Sequence, residues 1–190
     1  MSLILCVDLA LTNTGYVIAK VTSDGDTLKH VGLIKTPPSS VKKAKQAGKT
    51  VGQVDWERSS ILALALIEQM NTHNISHVYV ECPTGGSKSS RAAKAMALAK
   101  GAAAAATVSQ GIPVTLFTPQ QAKKAATGDT SADKDYVKSR ILVEFKYFTN
   151  WIKNAKGRLI KTANEHIFDA CSVLMCARQT ESYKELQDHD

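Results

Sequence analysis

Two apolar runs in this chain each end on an acid, and that pairing limits the fold more than any other feature. Leu3-Ile4-Leu5-Cys6-Val7 runs into Asp8, and His77-Val78-Tyr79-Val80 runs into Glu81. Runs this apolar fit central strands covered on both faces. An ionised carboxylate at the end of such a strand is costly unless it is paired or holds a metal. A third acid, Asp169, lies in Asn164-Glu165-His166-Ile167-Phe168-Asp169, which reads as the start of a C-terminal helix. His166 and Asp169 are three residues apart and share one helical face, whereas Glu165 points about a quarter-turn away, towards solvent. Hard divalent cations prefer oxygen ligands, and a pair of them can clamp the attacking and leaving oxygens of a phosphodiester. The acids therefore point to a metal-dependent nuclease.

Charge agrees with that reading. The formal net charge is +7, and between Gly85 and Thr162 fourteen Lys/Arg stand against four Asp/Glu, a local excess of +10. That stretch is a candidate polyanion surface. With 190 residues, 44% hydrophobic and 22% charged, the chain suits one well-buried domain over residues 1–190. Cys6, Cys82, Cys171 and Cys176 sit in apolar or helical settings without a Cys-x-x-Cys pair, so reduced thiols are expected rather than disulfides or zinc ligands. No basic region precedes the first apolar run, and no segment approaches roughly eighteen apolar residues. A cytoplasmic protein with no membrane partner is expected.

The remaining elements follow from periodicity and punctuation. Leu3–Asp8, Tyr16–Val21 and Leu28–Lys35 form an antiparallel meander, with a hairpin signal at Ser23-Asp24-Gly25-Asp26. Pro37-Pro38-Ser39-Ser40 breaks regular structure and a lysine-rich stretch from Lys42 to Lys49 follows, so residues 36–55 read as a basic loop insertion, with a short helix over the lysines as the alternative. Ile61, Leu62, Ala65, Leu66 and Met70 recur at helical spacing over Trp56–Asn71, with Asp55 as N-cap. After the strand ending at Glu81, a helix opens at Ser89/Ser90 and stops before Gly111-Ile112-Pro113. Val114–Phe117 gives a fifth strand. Thr118, Pro119 and Gln121 then supply the N-cap, N1 and N3 of a helix ending before Gly128. Further helices span Asp133–Phe145 and start near Asn164, and residues 181–190 read as an acidic tail. Trp151 is expected to anchor a core rather than stack on a base.

This order resembles the ribonuclease H-like fold, an α/β domain with a mixed five-stranded sheet of three antiparallel strands and then two parallel ones, flanked by helices. More narrowly, the chain resembles the RuvC family of Holliday-junction resolvases. Cys6-Val7-Asp8-Leu9-Ala10 with Thr14-Gly15 echoes that family's Gly-Ile-Asp-Pro-Gly and Thr-Gly, and Val80-Glu81-Cys82 its Ile-Glu-Gln. Met96-Ala97-Leu98-Ala99-Lys100-Gly101-Ala102 is similar to the Ala/Gly-rich helix that follows. The segment from Ala122 to Lys134 matches a Val-Lys, a Gly and an Ala-Glu-Lys at the same spacings, and His166-Ile167-Phe168-Asp169-Ala170 matches Asp-Ala-Ala-Asp-Ala, or its variant with His first.

The resemblance implies that Asp8, Glu81 and Asp169 bind Mg²⁺, two ions in all with Mn²⁺ able to substitute, and that His166 is a fourth active-site group that ligates metal or acts on water. It implies phosphate contacts from Lys123, Lys124 and Lys134, joined in the basic middle by Lys88 and Arg91 as nucleic-acid contacts. The implied substrate is branched DNA, above all four-way junctions. A homodimer is expected too, through the alanine-rich helix after Glu81, since a four-way junction has two-fold character. Two alternatives differ in class. An actin- or sugar-kinase-like ATPase shares the sheet but needs a glycine soon after the first acid for backbone to approach phosphate, and Ala10 stands there. A catalytically inactive DNA-binding relative would lack an acid, and all are present. Thr84 occupies the place of a bacterial aromatic near the junction centre, which leans towards a broader branched-DNA endonuclease of the phage type.

Overall fold

A computed structural model of the chain describes residues 2–37, 41–82 and 89–188. Its strands are β1 (Ser2–Asp8), β2 (Asn13–Thr22), β3 (Gly25–Lys35), β4 (His77–Glu81) and β5 (Val114–Phe117). They form one sheet in the order β3-β2-β1-β4-β5. The pairs β1/β2 and β2/β3 are antiparallel, and β1/β4 and β4/β5 are parallel, as the order of elements predicts. Thr22 pairs with Gly25, so Ser23-Asp24 makes the hairpin turn, and Gly25 at φ +127° adopts a conformation disfavoured for other residues.

Side chains of a strand alternate between faces, and each face of this sheet has its own core. Ile4, Cys6, Val17, Ala19, Tyr79 and Phe117 point to the side covered by α4 (Pro119–Thr127), α5 (Lys134–Glu144) and α6 (Lys161–Ala177). Leu5, Val7, Ile18, Val78 and Val80 face α2 (Val51–Thr72) and α3 (Ser90–Gln110) on the other side. Trp151 is buried against Phe148 and Phe168, the core anchor its sequence setting predicts. The four cysteines are free thiols.

Several boundaries differ from expectation: β2 starts at Asn13 rather than Tyr16, and β3 at Gly25 rather than Leu28. Within residues 36–55 the short-helix alternative holds, over α1 (Val41–Gln46), and α2 already begins at Val51. Thr50, not Asp55, is the N-cap of α2, closing a capping box with Gln53. Asp55 is instead buried inside that helix. The helix expected near Asn164 starts a turn earlier, at Lys161. The acidic tail is a helix, α7 (Glu181–Asp188), docked through buried Tyr183, whose hydroxyl donates to Asp26 Oδ2 at 2.6 Å. The expected helix starts at Ser89, Thr118 and Asp133 are all present, each capped by its own side chain.

Candidate active site

Because β1 and β4 are parallel neighbours, their C-terminal ends lie at the same edge of the sheet, and Asp8 sits directly opposite Glu81. Clefts outside the carboxyl ends of such strands are the usual place for ligands in α/β folds. The helix α6 brings the other two groups to that edge. His166 Nδ1 lies 2.8 Å from Asp8 Oδ2, and one turn on, Asp169 joins them. Close approach here depends on Gly15, the β2 partner of Asp8. A Cβ at that position would stand 2.2 Å from the His166 carbonyl oxygen, so any side chain would push α6 off the acids.

Among the described residues, ligand atoms of Asp8, His166 and Asp169 come within 4.8 Å of one another. Glu81 is not part of that trio. It shares a cleft with Asp169, lined also by Pro119, Lys123, Lys134, Val137 and Ser172. Electrostatics ties it to the others. Burial, then Asp8 and then Asp169 push the Glu81 carboxyl up to about 8, with Lys123 opposing. Burial and Asp8 likewise raise Asp169 to about 6, against the pull of Lys134 and His166. The hydrogen bond to Asp8 holds the His166 imidazole above its ordinary value in spite of desolvation. Three crowded carboxyls and an imidazole form a donor set that suits a hard or borderline divalent cation, which would relieve their mutual repulsion.

The basic residues divide. Lys123 is half-buried in the cleft wall near Glu81, and Lys124 is exposed on α4. Lys134 reaches the same cleft but is ion-paired with Glu165. Glu165, partly exposed, is thus paired across to Lys134, the first residue of α5, rather than standing alone in solvent. Arg91 grips Asp55 through two bonds of 2.9 and 3.2 Å. Lys88, together with Thr84 and the neighbouring glycines, lies outside the described residues. Sequence reasoning missed Gly15 as the clearance for α6, and missed Asp55 and Arg58. Those two charges fall on the same helical stripe as Leu62 and Leu66, a spacing that flags buried ionic groups.

The sequence family described as crossover junction endodeoxyribonuclease RuvC matches residues 4–155. That span takes in Asp8, Glu81, Lys123 and Lys134 and ends before α6. The chain is 28% identical over 176 residues to the crossover junction endodeoxyribonuclease RuvC of Hyphomonas neptunium, covering 92% of this chain and 87% of that protein. It is 30% identical over 135 residues to the enzyme of the same description from Pelotomaculum thermopropionicum, covering 71% and 74%. Among solved structures, the RuvC of T. thermophilus in complex with Holliday junction substrate aligns with a TM-score of 0.68 at 20% identity, over 93% of each chain. The fold is thus that of the resolvase, and the matched span shows that this chain belongs to the crossover junction endodeoxyribonuclease RuvC family.

Proposed function

We propose that this protein is a metal-dependent, structure-selective endodeoxyribonuclease that resolves Holliday junctions or related branched DNA by hydrolysing phosphodiesters. The observation that carries it is the meeting of Asp8 and Glu81, at adjacent strand ends, with His166 and Asp169 from α6. Asp8, Glu81 and Asp169 would hold Mg²⁺, two ions in all with Mn²⁺ able to substitute, and the ions supply a lowered pKa for the attacking water and charge stabilisation at the leaving 3′ oxygen. The protein's own groups do the rest. His166, oriented by its bond to Asp8, ligates or orders the water. Lys123 and Lys134 draw the phosphate into the cleft, and Lys134 exchanges Glu165 for a phosphate oxygen as DNA arrives. Lys124, on the exposed side of α4, extends the basic track.

A homodimer completes the reading. One face of α3 buries Ala99, Ala102, Ala103 and Ala106 against the rest of the fold. Ala93, Ala97, Gly101, Ala104 and Val108 are exposed, a stripe small enough for a second helix to approach closely. Two copies related by a two-fold axis would offer one site to each of two symmetry-related strands. Sedimentation at micromolar concentration, with and without junction DNA, tests this, and a strict monomer in both refutes it. We read residues 1–190 as one nuclease domain working in the cytoplasm of a bacterial or phage-infected cell, and no helix among the described residues is long and apolar enough to cross a membrane.

The deciding experiment incubates the protein with Mg²⁺ or Mn²⁺ and four-way, three-way, flap and linear DNAs, and maps the cuts. Paired symmetric cuts in the four-way junction are expected. Equal cutting of linear duplex, or none of any substrate with either ion, refutes the proposal.

A further inference from the structure

On the far side of the sheet from α6, two ionic side chains of α2 are buried where apolar ones would pack. Asp55 is 3% exposed and Arg58 is 4% exposed. Taking ions out of water costs several kcal/mol each, and an apolar pair of similar volume is often no less stable, so a buried ionic pair calls for a reason other than stability. Their contacts supply one. Arg58 donates from Nε to Thr36 Oγ1 at 3.0 Å and from Nη2 to Thr12 Oγ1 at 2.5 Å. Thr36 in turn donates its hydroxyl to the Leu11 carbonyl at 2.5 Å and its amide to the Thr12 carbonyl at 3.0 Å. Arg58 thereby fixes the turn that leaves Asp8. Asp55 lies 3.8 Å from Arg58 and accepts from Arg91, with Lys94 at 3.3 Å. Arg91 and Lys94 belong to the first turns of α3, the helix that follows Glu81 in the chain.

We propose that Asp55 and Arg58 are positioning residues that tie the turn leaving Asp8 to the first turns of α3, and so hold the Asp8 carboxylate in place for metal. Neither residue touches the reacting atoms. They act through the turn at residues 9–14, which leaves the sheet where the β1/β4 ladder ends at Asp8, and through the first turns of α3. Hydrogen bonds to ionised partners are stronger than neutral ones, and here one buried carboxylate holds α3 while its guanidinium neighbour holds the turn. Arg91 thus serves the scaffold in the free protein, which explains its two bonds to Asp55.

The inference rests on the reading of Asp8 and Glu81 as metal ligands, and its test separates the two. In the full-length protein without DNA, Asp55→Asn should speed amide hydrogen exchange on the order of tenfold in both the 9–14 turn and the 90–94 turn, leaving α6 protected. Mn²⁺ affinity by calorimetry should fall about three- to tenfold, and Asp55→Glu should recover part of it. On four-way junctions the variant should lose turnover with KM little changed. Glu57→Gln, on the exposed face of α2, should leave every readout as in the wild type. If Asp55→Asn does not fold, Arg91→Ala leaves Asp55 with Arg58 and Lys94, and should loosen the 90–94 turn with a smaller drop in Mn²⁺ affinity. A folded variant with unchanged Mn²⁺ affinity, or with exchange raised in one segment alone, overturns the proposal. A wild type that binds Mn²⁺ at this site but cuts no branched DNA would instead refute the assigned function.

Discussion

Replacing Glu81 by Gln should make the metal-free protein more stable while abolishing its chemistry. The Glu81 carboxyl is pushed from 4.5 up to about 8 by burial and by Asp8 and Asp169. A folded-state value above the unfolded one means that the folded chain keeps a proton that the unfolded chain has lost. Stability therefore declines as pH rises from about 4.5 to about 8, and the full penalty is present above 8. At about 1.4 kcal/mol per pH unit the displacement amounts to nearly 5 kcal/mol, and water entering the open end of the cleft reduces this to about 2–3 kcal/mol. Glutamine has the same shape and no charge. Urea unfolding followed by circular dichroism, in EDTA at pH 5, 7 and 9, should show Glu81→Gln close to wild type at pH 5 and more stable by about 2–3 kcal/mol at pH 9. Saturating Mn²⁺ should reverse the order, because the ion binds the folded wild type and binds the variant poorly. A variant equal to or weaker than the wild type at pH 9 in EDTA would refute the electrostatic account of the site.

Asp8→Asn and Asp169→Asn should each reduce junction cleavage by roughly a hundredfold or more with DNA binding by gel shift largely retained; near-normal cutting would sink the assigned site. Lys134→Ala should lower the slope of log K against log salt by about one, and Glu165→Gln, which frees Lys134 from its ion pair, should tighten junction binding. An unchanged slope for the lysine variant would show that it touches no phosphate. Tyr183→Phe removes one of three hydrogen bonds that Arg178 and Tyr183 give to the fully buried Asp26 carboxylate, and should cost about 2 kcal/mol in urea unfolding. A loss under roughly 0.5 kcal/mol would mean that α7 contributes little to the fold.

Much of the architecture is legible in the chain because its causes are local. The apolar runs into Asp8 and Glu81 and the caps at Ser89, Thr118 and Asp133 all act within a few residues, and those elements stand where the signals put them, whereas the hairpin signalled at Ser23–Asp26 turns tighter and β3 begins at Gly25 rather than Leu28. The capping box at Thr50 and Gln53 is the same kind of signal, masked by the lysines before it. Helix α7 shows the limit of composition, since an acidic, polar segment reads as a tail until a buried Asp26 supplies the partner for its one inward tyrosine. The acids themselves, their order and their helix spacing were likewise present in the sequence. Their ionisation and their ion pairs were not. That Lys134 answers to Glu165, that Arg91 answers to Asp55, and that Glu81 holds its proton to about 8 while facing Asp8 depend on groups tens of residues away along the chain. Periodicity and capping are settled by neighbours in sequence, whereas ionisation and ion pairing follow distance and solvent exclusion, which exist only once the sheet and α6 have closed around the site.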